Sequence, residues 1–127
     1  MTLTAQKWFD QARYDLDTAQ AMLDSRRYLY VLFCCQQALE KAIKGLIVQR
    51  TGTFPPRIHN LLRLSEVAAL ELTSEQAEFL GELSAYYIQS RYPEEIDALG
   101  KSVSKSLSAK SLKKTQEVVA WLISTIK

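Results

Sequence analysis

The sequence is poor in residues that break a chain or staple it. Of 127 residues, four are glycine, three proline and two cysteine. The glycines, Gly45, Gly52, Gly81 and Gly100, are scattered, so no glycine-rich phosphate loop is present. Cys34 and Cys35 are adjacent. Neighbouring side chains on a helix diverge by about 100°, which suits no disulfide between them, and both read as small buried hydrophobes. His59 is the single histidine, and with two cysteines it makes no zinc set, so no metal or cofactor is expected. No apolar run approaches the roughly 18 residues of a membrane span. The opening stretch, MTLTAQKWFDQARYD, lacks a basic-then-apolar signal pattern and reads directly as helix. A cytoplasmic protein without a membrane partner is therefore expected.

What is abundant is helix-forming. Hydrophobic residues make up 47% of the chain and charged residues 24%, as in an ordinary globular protein. One all-α domain over residues 1–127 is expected, an up-and-down bundle of four long helices plus a short one. Its organising stretch is Tyr28 to Gln49. There Tyr28, Val31, Leu32, Cys35, Ala38, Leu39, Ala42, Ile43 and Leu46 share one face at three- and four-residue steps. Phe33, Gln37, Glu40, Lys41 and Lys44 take the other face, with Glu40 one turn before Lys44 in the favourable order for an ion pair.

Helix one is expected from about Thr4, as N-cap, to Ser25, with Trp8, Ala12, Leu16, Ala19 and Leu23 inward. A short Ser25-Arg26-Arg27 connection makes helices one and two antiparallel neighbours. The Thr51–Pro56 breaker cluster ends helix two, with Gly52 as its C-cap glycine. A short helix three follows His59, capped by His59 or Asn60. Thr73 and Gln76 form a capping box for helix four, which Arg91-Tyr92-Pro93 stops. Residues 94–107 read as a connection, and helix five runs from about Ser108 to Ile126.

Charge is segregated along the chain. Residues 41–65 carry Lys41, Lys44, Arg50, Arg57 and Arg63 and no acid, whereas residues 66–97 carry eight acids against Arg91. Six lysines follow from Lys101 onward against Glu117. This either sets a basic surface beside an acidic one or leaves solvated faces that neutralise each other.

Three constellations could hold an anion. Lys41 and Lys44 either meet one anion or sit on a solvated face. His59, at a helix start with Arg57 nearby, either joins unbonded backbone N–H groups around a phosphate or merely caps the helix. Arg91 and Tyr92 either grip a phosphate and stack on a base, or Arg91 bonds the last carbonyls of helix four. The sequence-based site therefore comprises Lys41, Lys44, His59, Arg91 and Tyr92, converging near one end of the bundle. Phe33 on the polar side of helix two, and the adjacent pair Tyr86 and Tyr87, are apolar surface in excess of what an isolated bundle needs.

Read in order, Trp8 with Ala12 and Asp15-Leu16, Phe33-Cys34-Cys35-Gln36-Gln37-Ala38-Leu39-Glu40-Lys41-Ala42-Ile43-Lys44, Pro56-x-x-His59-x-Leu61 and Ser90-Arg91-Tyr92-Pro93 resemble the HEPN domain family. The resemblance implies a helical bundle that commonly forms homodimers, and the excess aromatics Phe33, Tyr86 and Tyr87 are the expected interface. It also implies a nucleotide- or RNA-related role. Some members are ribonuclease toxins, and others are non-catalytic partners of a small nucleotidyltransferase. Ribonuclease members carry an arginine followed four to six residues later by histidine. After Arg91 no histidine follows, Arg50 lies too far before His59, and Arg57 too near. No catalytic residue is assigned. The expectation is a non-enzymatic, nucleotide-binding module in a toxin–antitoxin-like pair with a nucleotidyltransferase partner. The alternatives are a ribonuclease using His59 from a non-standard site and a dimeric scaffold without a ligand.

Overall fold

The computed structural model describes residues 1–89 and 91–126, and in them the chain forms helices only. Helix α1 spans Leu3–Asp24 and α2 spans Tyr28–Thr51. Three shorter helices follow, α3 (Leu61–Val67), α4 (Ser74–Ser84) and α5 (Pro93–Lys101), and α6 (Lys105–Ser124) closes the bundle. The all-α helical bundle expected from composition and periodicity is thus present, with six helices among the described residues rather than five. No helix among them is long and apolar enough to cross a membrane.

Helix α2 is the axis of the molecule. Its 24 residues, about 36 Å long, touch α1, α3, α4, α5 and α6 in turn. Val31, Leu32, Cys35, Leu39, Ile43 and Leu46 are buried in one cluster with Phe9 of α1, Leu61 and Leu64 of α3, Leu80 and Leu83 of α4, and Leu122 of α6. The inner stripe of α1 is rotated from the sequence expectation. Ala5, Phe9, Ala12 and Ala19 are fully buried, whereas Trp8, Leu16 and Leu23 are half-buried. Small Gly45 explains the close approach: a Cβ there would lie 3.0 Å from Trp8 Cβ and 3.1 Å from the Phe9 ring.

The caps follow the local chemistry, with one shift. Thr2, not Thr4, caps α1, and its hydroxyl accepts from the Ala5 N–H. Gly52 ends α2 with φ 68°, the left-handed conformation only glycine adopts without strain. Asn60 caps α3, and Thr73 with Gln76 forms the expected box on α4.

Helix α6 starts at Lys105, capped by Ser104, rather than near Ser108, and two boundaries depart further from expectation. Helix α4 stops at Ser84, not at Arg91. The Ser84 hydroxyl accepts from Leu61 N–H and donates to Leu80 O, and the chain then tightens through bonds from Ala85, Tyr86 and Tyr87 N–H to carbonyls three residues back. The stretch expected as a connection holds α5. Pro93 starts it, Glu94 and Glu95 occupy its first turn and Lys101 its last, as the helix dipole favours. No residue of α5 is buried. Ser90, part of the Ser90–Pro93 segment, lies outside the described residues.

Candidate functional site

The polar side of α2 is not a solvated face. Gln36 is fully buried, and Glu40 and Lys44 are each only 7% exposed. Lys44 Nζ donates to Glu40 Oε2 at 3.0 Å, the pair expected from their spacing. What the spacing did not disclose is its burial. An ion pair taken from water must be satisfied on all sides. Here Gln36 Nε2 donates to Glu40 Oε1 at 3.1 Å and to the His59 carbonyl at 3.0 Å. His59 Nδ1 lies 3.0 and 3.1 Å from the two Glu40 oxygens. The loop 52–60 that follows α2 is thereby folded back onto the helix it leaves.

His59 is positioned twice over. Glu40 fixes one ring edge, and the Tyr87 ring stacks on its face, with centroids 4.0 Å apart and planes 11° apart. Burial first, and the Glu40 carboxylate second, push the Tyr87 phenol above its usual value. With Nδ1 turned to Glu40, the opposite edge carrying Nε2 is directed away from that carboxylate. His59 lines an open cleft of about 350 Å³ with Asn60, Ser84, Tyr87, Arg91 and Glu95. Arg91 Nη1 is 3.1 Å from Glu95 Oε2, and among the described residues the buried Arg91 Nε has no hydrogen-bond partner.

The structure therefore brings His59 and Arg91 into one cleft and keeps the lysines out of it. Lys41 Nζ pairs with Asp15 of α1 at 2.8 Å and lines a separate depression with Thr4, Lys7, Trp8 and Gln11. Lys44 reaches His59 only through Glu40. The two lysines thus do not meet one anion, because each has a carboxylate of its own. The first three N–H groups of α3 are already taken as well. Leu62 and Arg63 N–H bond Asn60 Oδ1, and Leu61 N–H bonds Ser84 Oγ. Tyr92 is 73% exposed at the start of α5 and makes no ring contact among the described residues. Arg91 does not cap α4, which ends seven residues earlier.

Of the residues expected at an interface, Tyr87 lines this cleft and Phe33 packs on Tyr87, whereas Tyr86 lines another depression with Leu32, Phe79 and Leu83. Phe33 is half-buried, edge-on to Tyr30 at 6.5 Å and tilted on Tyr87 at 6.4 Å. Tyr86 is half-buried against the core. Sequence reasoning passed over Gln36, Glu40 and Tyr87 as cleft-shaping residues. The i, i+4 chain of Gln36, Glu40 and Lys44 on one helix was the available signal.

The sequence of residues 5–126 matches the model of the HEPN domain. Among solved structures, TT1696 from Thermus thermophilus superposes with a TM-score of 0.80 at 30% identity, over 97% of this chain and 98% of that one. ST0689, an archaeal HEPN homologue, superposes with a TM-score of 0.78 at 23% identity, over 97% and 98% of the two chains, and at that identity speaks to the fold alone. No curated protein matches.

Proposed function

The chain belongs to the HEPN domain family, and from that premise we propose a non-enzymatic module that binds a nucleotide phosphate between His59 and Arg91. The observation that carries this reading is that two cationic-capable side chains, 32 residues apart in sequence, line one cleft. The Arg91 guanidinium lines the cleft and is 32% exposed, and Arg recognises phosphate through paired N–H donors. The exposed Tyr92 ring beside Arg91 offers a base a surface to stack on. The module acts with a minimal nucleotidyltransferase partner in a toxin–antitoxin-like pair, a role that rests on the family resemblance of the helix-two motif.

Calorimetry with ATP, GTP and short RNA tests the binding. Each charge-assisted contact to the phosphate contributes about 1.5–3 kcal/mol, so Arg91→Ala weakens binding by roughly tenfold or more. Equal binding by wild type and Arg91→Ala would remove the site. Co-purification with a nucleotidyltransferase-fold protein encoded alongside tests the pairing.

One observation favours a second reading. A carboxylate on His59 Nδ1 is the arrangement that fixes an imidazole for proton transfer. On this reading His59 takes the 2′-hydroxyl proton of RNA in metal-independent cleavage. Cleavage of labelled RNA in EDTA that vanishes in His59→Ala would select it over the binding module.

A further inference from the structure

Glu95 is the one acid among the six residues lining the cleft. It does two things at once. Its Oε2 accepts from Arg91 Nη1 at 3.1 Å, and its Oε1 accepts from the Tyr92 N–H at 3.3 Å. The second contact holds the first turn of α5, since it satisfies one of the backbone donors a helix start leaves unpaired. Little else holds α5. It buries no residue, and α2 is its one helical neighbour among the described residues. Arg91 is divided correspondingly: Nη1 is given to Glu95, while Nε is buried with no partner among the described residues.

A carboxylate lying on the arginine of an anion cleft has the chemistry of the ligand itself: two oxygens, negative charge, a match to the guanidinium fork. We propose that Glu95 is an intramolecular competitor for the site, so that a phosphate-bearing ligand takes Arg91 from it and releases the first turn of α5. The proposal rests on the cleft reading above and adds a threshold and an output to it. Because Arg91 is occupied, only a ligand that outcompetes a tethered carboxylate binds, which favours a phosphate over a carboxylate of single charge. Because Glu95 also holds Tyr92 N–H, its departure converts occupancy into mobility of residues 92–96. Both partners of the pair are partly exposed, at 32% and 46%, so the competition is modest.

Titration with ATP of wild type, Glu95→Gln and Arg91→Ala, with amide hydrogen exchange on the same samples, tests the proposal. Glu95→Gln keeps the acceptor for Tyr92 N–H and removes the charge. An exposed ion pair is worth up to about 1 kcal/mol, so the variant binds ATP about fivefold more tightly. In wild type, ATP speeds exchange at Tyr92 and Ile96, whose N–H groups bond Glu95 Oε1 and the Tyr92 carbonyl. Detectable binding only in Glu95→Gln also supports the competitor. Wild type and Glu95→Gln binding equally, with binding lost in Arg91→Ala, would overturn the competitor and leave the cleft reading standing. No ATP binding by either wild type or Glu95→Gln would overturn both.

Discussion

The imidazole of His59 lies flat on the ring of Tyr87, 4.0 Å between centroids. That stack joins the loop leaving α2 to the chain leaving α4, two segments with no regular structure of their own. Its rigidity depends on the buried charges beneath it.

Lys44 is the residue to remove first. Lys44→Ala leaves Glu40, only 7% exposed, without its ammonium partner and with His59 as its remaining cation-capable neighbour. Breaking a buried pair from one side costs about 3 kcal/mol, whereas replacing both members is close to neutral. Urea unfolding should therefore show a large loss for Lys44→Ala and substantial recovery in Glu40→Gln/Lys44→Met. A loss below about 0.5 kcal/mol for the single variant, repeated in His59→Ala, would mean that water reaches the pair.

Gly45 and Gly81 should respond to alanine in opposite directions. Helix propensity favours alanine over glycine by about 1 kcal/mol at either site. At Gly45 the added Cβ meets Trp8 Cβ at 3.0 Å, where a backbone-proximal atom cannot move aside, and overpacking outweighs propensity by roughly 1 kcal/mol. At Gly81 it meets only the end of the Leu62 side chain at 3.3 Å. Thermal melts should fall for Gly45→Ala and hold or rise for Gly81→Ala. A rise for both would contradict the tight α1–α2 contact.

How much of this was legible beforehand depended on range. Gly52, Asn60 and Thr73 act within a few residues, and their roles as caps are as the sequence suggests. The Glu40–Lys44 contact was legible too, but not its burial, because an i, i+4 pair looks alike in water and under a loop. His59, which covers it, arrives 19 residues later. The end of α4 was missed for a similar reason, since Ser84 is claimed by Leu61, 23 residues earlier. Helix α5 was missed although its proline, its acidic first turn and its terminal lysine were all in view; the lack of a buried stripe hid it. Of the site, His59 and Arg91 fall into one cleft, while Lys41 and Lys44 are drawn off by Asp15 and Glu40.

The thiols should titrate late. Burial pushes Cys34 up to about 11, with nearby Asp15 adding to it. Burial pushes Cys35 up to about 12, partly offset by a hydrogen bond with Thr115. A raised value means the folded protein holds the proton more tightly than the unfolded chain. The resulting stability is complete below the ordinary thiol value of 9.0 and is withdrawn as pH climbs through 11 and then 12. Iodoacetamide at about pH 8, near the ordinary thiol range, should label neither thiol quickly in native protein, Cys34 before Cys35, and both at once in denaturant. Rapid native labelling of Cys35 would refute its burial.

We expect a homodimer through the aromatic surface at Phe33. Tyr30, 47% exposed, continues that surface through Phe33 to Tyr87. Light scattering at micromolar concentration should give about twice the 14.4 kDa chain mass, falling to the chain mass in Phe33→Asp. Wild type at 14.4 kDa would exclude this interface.

The central place of α2 also orders events in time. Its contacts with α1 cross a turn of three residues, 25–27, and close quickly. Its contacts with α6 await the return of the chain from 80 residues away, where the Ser108 hydroxyl meets the Tyr28 carbonyl at 3.3 Å. The hairpin of α1 and α2 is thus the natural nucleus, and α6 the last strap drawn across it. Truncating Leu122 should then speed unfolding and leave the refolding rate nearly untouched, whereas truncating Phe9 should slow refolding. A chevron with the two effects reversed would place α6 in the nucleus instead.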